Sequence, residues 1–158
     1  MTPINWAKRP ITKYTDFSGR ASRPEYWWYT LAVVIAAIVV SIVENIVGLD
    51  QMVGPYGPLS LILMLGLLLP GLAVTVRRLH DTNRSGWWLL IVIVPYCIVG
   101  IVSVMAMRSG SMGTLGTAGL LSIVALIGAI VLLIFMVLPG TPGDNSYGPP
   151  AGDNTATV

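Results

Sequence analysis

The stretch Arg77-Arg78-Leu79-His80-Asp81-Thr82-Asn83-Arg84-Ser85-Gly86-Trp87-Trp88 gathers three arginines, the only histidine of the chain and an aspartate between two long apolar runs. Only 10% of the 158 residues are charged, against about 25% in an ordinary soluble domain. The apolar residues come in unbroken blocks. Four blocks, Tyr26 to Val47, Pro58 to Val76, Trp87 to Met107 and Ala118 to Leu138, each approach the ~20 residues that cross a ~30 Å hydrocarbon core at ~1.5 Å per residue. A bilayer offers backbone polar groups no water, so each span is a helix or part of a closed barrel, and blocks this long exclude barrel strands. The expected fold is an all-α membrane protein: a four-helix transmembrane bundle with short loops, one domain over residues 1–150, and a disordered tail over residues 151–158.

Orientation follows from the basic residues. Lys8, Arg9, Lys13, Arg20 and Arg23 precede the first span, and Arg77, Arg78 and Arg84 lie between spans two and three. The last connection holds Arg108 alone. Placing the N-terminus in the cytoplasm puts eight of the nine basic residues inside, as the positive-inside rule favours, and both termini are then cytoplasmic. A cleaved signal peptide fits poorly, because the first run is too long for an h-region and no A-x-A-like site precedes Asp50. Cys97 has no cysteine partner, so no disulfide and no Cys-based metal site is expected. No cofactor, metal or nucleic acid is expected either.

Residues 1–15 read as a loosely ordered arm lying on the membrane through Trp6 and Tyr14. Ser22, with Glu25 three residues on, has capping-box spacing, and Pro24 suits a first helical turn. Tyr26, Trp27, Trp28 and Tyr29 then fall at headgroup depth. In span one Glu44 lies about a turn from the exit, within reach of the interface. Ala32 and Ala36 form a small-xxx-small packing pair. Gly48 to Gly57 reads as a plain turn. Pro70 in span two and Pro95 in span three predict kinks, with Gly66 the residue whose carbonyl Pro70 leaves free. Arg108 to Thr117 reads as a flexible connection, and Ser122, Ala125 and Ala129 mark span four as a packing helix.

A helical end to span two places Arg77 near both His80 and Asp81 on one face. Arg20 and Arg23 reach the same membrane face. The candidate site is therefore Arg20, Arg23, Glu25, Arg77, Arg78, His80, Asp81 and Arg84, five positive groups against two negative. Three chemistries fit these residues. The arginines can satisfy the positive-inside rule, touch lipid phosphates at roughly 1 kcal/mol each and pair with Glu25 and Asp81. They can grip a phosphate or carboxylate bidentately, helped by free N–H groups at Ser85-Gly86. Or His80 can act as a general base oriented by Asp81, although adjacent residues on a helix point about 100° apart.

Gly19-Arg20-x-x-Arg23-x-Glu25-Tyr26-Trp27, Arg77-Arg78-Leu79-His80-Asp81 with Ser85-Gly86-Trp87-Trp88, and Gly140-Thr141-x-Gly143-x-Asn145-x-Tyr147-Gly148-Pro149 resemble the bacterial inner-membrane domain of unknown function 805 family, the YhaH-like proteins. The resemblance covers about residues 16 to 150. Ser146 and Pro150-Ala151 depart from the basic residue and the Asp-Pro that many members carry there. The resemblance implies a small multi-pass protein of the bacterial plasma membrane with no established activity, and it implies that the three motif regions form one shared unit. The expected function is non-enzymatic: the Arg/His/Asp cluster binds anionic lipid headgroups or a partner protein, whether another membrane protein or a second copy. The alternatives are a small transporter or channel subunit, for which Glu44 is the best residue, and an interfacial lipid-modifying enzyme built on His80.

Overall fold

The computed structural model describes residues 2–49, 52, 56–110 and 112–151. The expected disorder of residues 152–158, and part of the turn between Gly48 and Gly57, fall outside them.

Residues 2–15 are not a loose arm. α1 spans Pro3–Thr12, capped by Thr2, whose hydroxyl accepts the Asn5 N–H at 3.4 Å. Trp6 and Pro10, one turn apart, are both buried, and α1 packs on the second helix and touches the third. What anchors the segment beyond α1 is a backbone defect. Pro70 has no N–H, so the Gly66 carbonyl loses its helical partner, and the Tyr14 hydroxyl donates to that carbonyl instead. Tyr29 donates in the same way to the neighbouring Leu67 carbonyl at 3.1 Å. Between Tyr14 and the next helix, Asp16 forms a tight turn: the Ser18 hydroxyl and amide hold its carboxyl down to about 2.

α2 spans Arg23–Val47 and begins as expected on Ser22, whose hydroxyl accepts the Glu25 N–H at 3.4 Å. Only half of the capping box forms. The Glu25 carboxylate turns away from the Ser22 amide toward buried guanidinium charge, which attracts it more strongly than a neutral N–H. α3 spans Pro58–Asp81, five residues beyond the Val76 expected from hydropathy, and Gly57 at its N-cap brings no side chain. Glu44 fills that place from α2. It is 2% exposed, accepts the Ser60 amide at 2.9 Å and receives the Ser60 hydroxyl as well. It does not reach out to the interface. A Cβ on Gly57 would stand 2.2 Å from this carboxylate, so glycine is what lets the two helices close.

A 3-10 turn at Gly86–Leu89 leads into α4, Leu90–Ser109. Gly110, left-handed at φ +61°, ends α4, and α5 starts at Met112, running to Val137. Most of the connection expected to be flexible from Arg108 to Thr117 is helical: Arg108 and Ser109 close α4, and Gly113, Thr114, Gly116 and Thr117 lie in α5, because backbone groups near lipid need internal partners more than they follow solvent propensities.

Among the described residues, α2, α3, the segment Gly86–Ser109 and α5 are the four helices long and apolar enough to cross a membrane. They associate as two antiparallel pairs, α2 with α3 and α4 with α5, which hold each other mainly where α3 meets the 3-10 turn and α5. The apolar side chains point outward, as with Ile46 at 78% and Ile62 at 67% exposure, while Glu25, Glu44, Arg77, Arg78 and Asp81 are buried. Small residues seam α4 to α5: Ala106, Ala118 and Ala125 are buried, and a Cβ on Gly128 would lie 2.4 Å from the Ile91 carbonyl oxygen. Ala32 is exposed and Ala36 half-buried, so the expected packing pair on α2 is not used within the chain. Ser122 is likewise exposed and Ala129 half-buried.

Gly128→Ala should therefore lower stability by about 1–3 kcal/mol, the usual cost of overpacking a tight contact. Gly100→Ala, which meets nothing within 4 Å, should leave it unchanged or raise it by up to about 1 kcal/mol. Thermal unfolding in detergent compares the two.

Candidate functional site

The polar chemistry of the chain converges at the end of the helices where α1 and the residues after α5 lie. Asp81, at the last position of α3, is its centre. One oxygen, Oδ1, accepts Arg20 Nε at 2.9 Å and lies 2.9 Å from Arg20 Nη2. The other, Oδ2, pairs with Arg78 Nη1 one turn earlier. All three side chains are essentially unexposed. A buried carboxylate holding two guanidiniums neutralises one of them. The remaining positive charge is met by carbonyl dipoles.

Those carbonyls come from the end of α5 and the chain beyond it. Arg78 donates from Nε to Met136 at 3.2 Å and from Nη2 to Leu138. Arg20 donates to Thr141 at 2.6 Å and to Gly143 at 2.7 Å. The Thr141 amide in turn donates to the Asp81 carbonyl at 2.8 Å. Gly140 crosses the carboxylate so closely that a Cβ would sit 2.2 Å from Asp81 Oδ2. Asn145 and Tyr147 tie the last segment to the end of α3. Asn145 donates to the His80 carbonyl at 2.9 Å and to Thr141 Oγ1 at 2.8 Å, and Tyr147 stacks on the His80 ring at 3.8 Å with planes 4° apart. Gly143 and Gly148 take φ +68° and +109°, values that a side chain would resist.

A second buried pair lies beside the first. Arg77 Nη1 is 2.8 Å from Glu25 Oε1, with both side chains unexposed, and Arg9 of α1 approaches Glu25 Oε2 at 3.5 Å. The Arg77–Glu25 contact is off the hydrogen-bond direction, and neither group has a hydrogen-bond partner among the described residues. Charge alone holds this pair.

Of the expected cluster, Arg20, Arg78 and Asp81 meet, and so do Glu25 and Arg77, a different pairing from the one helical spacing favours. Asp81 takes Arg78 rather than Arg77, because the two adjacent arginines leave α3 on different faces and Arg77 is drawn to Glu25. His80 does not face Asp81: its Nδ1 meets the Gly19 carbonyl at 3.1 Å, so the aspartate orients arginines and not the imidazole. Arg23 is exposed and donates from Nε to Leu138 at 3.2 Å. Arg84 stands apart, bonding the Thr82 carbonyl at 3.1 Å and lying 4.1 Å over the Phe135 ring. At Ser85-Gly86 the hydroxyl already accepts the Trp87 amide at 3.2 Å, which removes a donor that the anion reading assumed.

Sequence reading missed Arg9, Thr141, Asn145 and Tyr147 as partners. Thr141, Asn145 and Tyr147 lie within the third quoted motif, whose ordered polar residues were the available signal. Arg9 carried none.

With the three motif segments in contact, the match to known proteins has a structural basis. The family described as Protein of unknown function (DUF805) matches residues 14–149. The chain belongs to that family. Among DUF805-like relatives, it is similar to Inner membrane protein YhaI of Escherichia coli (strain K12), 42% identical over 93 residues that cover 59% of this chain and 75% of YhaI. It is also similar to Inner membrane protein YhaH of the same strain, 38% identical over 93 residues covering 59% of this chain and 76% of YhaH. No solved structure matches it.

Removing one partner of a buried ion pair costs about 3–5 kcal/mol. Asp81→Asn should therefore release the segment after α5, and limited proteolysis in detergent should cut residues 139–150 much faster than in the wild type. Equal cleavage rates would mean that the segment is held without the carboxylate.

Proposed function

We propose that the chain is a non-catalytic component of the bacterial inner membrane, with both termini in the cytoplasm, whose basic end binds anionic phospholipid headgroups. The observation that carries this reading is the division of labour among the basic residues. Arg20, Arg77 and Arg78 are consumed inside the chain, where Arg20 and Arg78 hold the segment after α5 in place. Lys8 and Arg23 are left exposed on the surface so formed, and Lys13, half-exposed, pairs with Asp16 at 3.3 Å.

α1 has the character of an interfacial helix. Ile4, Lys8 and Ile11 share its outward face, with Ile4 64% and Ile11 50% exposed, while Trp6 and Pro10 face inward. Arg23 borders a recess of about 280 Å³ shared with Pro24, Asp81, Pro139 and Gly140. The carboxylate there is already balanced by two arginines, so the recess presents the Arg23 fork to a phosphate. Glu44, the residue a transport role would use, caps α3, which favours binding over transport. The inner-membrane relatives and the placement of eight of nine basic residues at the end holding both termini support the orientation.

Each exposed cation near an anionic surface contributes about 1 kcal/mol. Replacing Lys8 and Arg23 together by Gln should weaken retention of phosphatidylglycerol by roughly 30-fold, read by lipid titration of the purified protein. High salt should weaken the wild type likewise. Unchanged retention would sink the reading. For orientation, Ser146→Cys in a Cys97→Ser background should react with a membrane-impermeant maleimide only after the cytoplasmic side is opened; labelling of intact spheroplasts would reverse the topology.

A further inference from the structure

Beside the Asp81 cluster, a crevice of about 410 Å³ opens between α3 and the start of α4, a volume within the usual range for small-molecule sites. Its chemistry changes along its length. The deep part is apolar, formed by Leu72 and Val76 on one face of α3 and by Leu90 and Ile93 on α4. At the outer end stand His80, Ser85 and Tyr147. This gradient, apolar below and hydrogen-bonding above, matches an amphiphile lying along the helices.

His80 sets which headgroup fits. Its Nδ1 faces a carbonyl oxygen, that of Gly19, and a carbonyl only accepts. The proton of the neutral ring is therefore on Nδ1, and Nε2 presents a lone pair. Tyr147, stacked on the imidazole, holds the ring in that plane. Nε2 has no partner among the described residues, and neither has the Tyr147 hydroxyl. The end of the crevice thus offers one acceptor, from His80, beside two hydroxyl donors, from Ser85 and Tyr147. A phosphate next to a group bearing O–H or N–H answers both.

We infer that this crevice binds one membrane phospholipid, with an acyl chain along Leu72, Val76, Leu90 and Ile93 and a headgroup that donates a hydrogen bond to His80 Nε2. Phosphatidylethanolamine and phosphatidylglycerol carry such a donor. Phosphatidylcholine, with a quaternary nitrogen, does not. The site differs from the basic surface in requiring a donor rather than a negative charge, and the two are separable by experiment.

The test is native mass spectrometry of the full-length protein titrated with the three lipids at identical acyl chains. The wild type should retain one phosphatidylethanolamine or phosphatidylglycerol about fivefold better than phosphatidylcholine, as one hydrogen bond provides. His80→Asn keeps an N–H for the Gly19 carbonyl but removes Nε2, and should abolish the preference for phosphatidylethanolamine over phosphatidylcholine, two lipids of equal charge, without unfolding the chain. Ile93→Trp should fill the apolar part and lower retention of all three lipids. Phosphatidylcholine bound as well as the others by the wild type would overturn the donor requirement. Unchanged retention in Ile93→Trp would place the lipid elsewhere, and a lipid-free dimer that Ile93→Trp disrupts would assign the crevice to a second copy. Selectivity for phosphatidylglycerol over phosphatidylethanolamine that survives His80→Asn would belong to the basic surface alone.

Discussion

Asp81 sits in a place where a lone carboxylate is untenable: unexposed, at the end of a helix whose C-terminal carbonyls are themselves negative. Two guanidiniums make it stable, and they come from different parts of the chain, Arg78 from the same helix and Arg20 from the approach to α2. The donors left over on those arginines need acceptors in turn, and the carbonyls after α5 supply them. Each unit therefore answers a need created by the one before it. This explains why the end of α3, the approach to α2 and the segment after α5 meet although they are far apart in sequence.

The same economy governs the opposite end of the molecule. Glu44 is buried, but it faces the free amides at the start of α3, and Gly57 gives it room. Two of the three carboxylates buried among the described residues thus have a glycine laid against them, Asp81 with Gly140 and Glu44 with Gly57. Between the two helix pairs contact along the spans is light, and the pairs depend on their polar end to hold together.

Span number and approximate limits were legible because hydropathy over ~20 residues is a one-dimensional signal. The ends were less so. α3 runs on to Asp81 because the charges beyond Val76 are neutralised within the fold, which hydropathy does not register. α5 starts at Met112 because small polar residues accept helix geometry when no water competes. The site residues could be nominated from their scarcity, since an arginine or aspartate beside a span needs a reason. Their pairing could not, because Arg77 and Arg78, four and three residues before Asp81, are both within helical reach of it and only the position of Glu25 decides between them. α1 was invisible for a related reason: its docking depends on Trp6, Pro10 and a Gly66 carbonyl orphaned by a proline more than fifty residues away.

The bonds from Arg20 to Thr141 and Gly143 join positions 121 and 123 residues apart, and they set the order in which the protein can mature. A growing chain delivers α2 and α3 to the bilayer before the acceptors for Arg20 and Arg78 have been synthesised. Until then the charged end of the first hairpin must rely on water and lipid phosphates for its hydrogen bonds. It exchanges them for carbonyls only when α5 and the residues after it emerge. Insertion and locking are thus separate events, and the second reports that all four spans have been made.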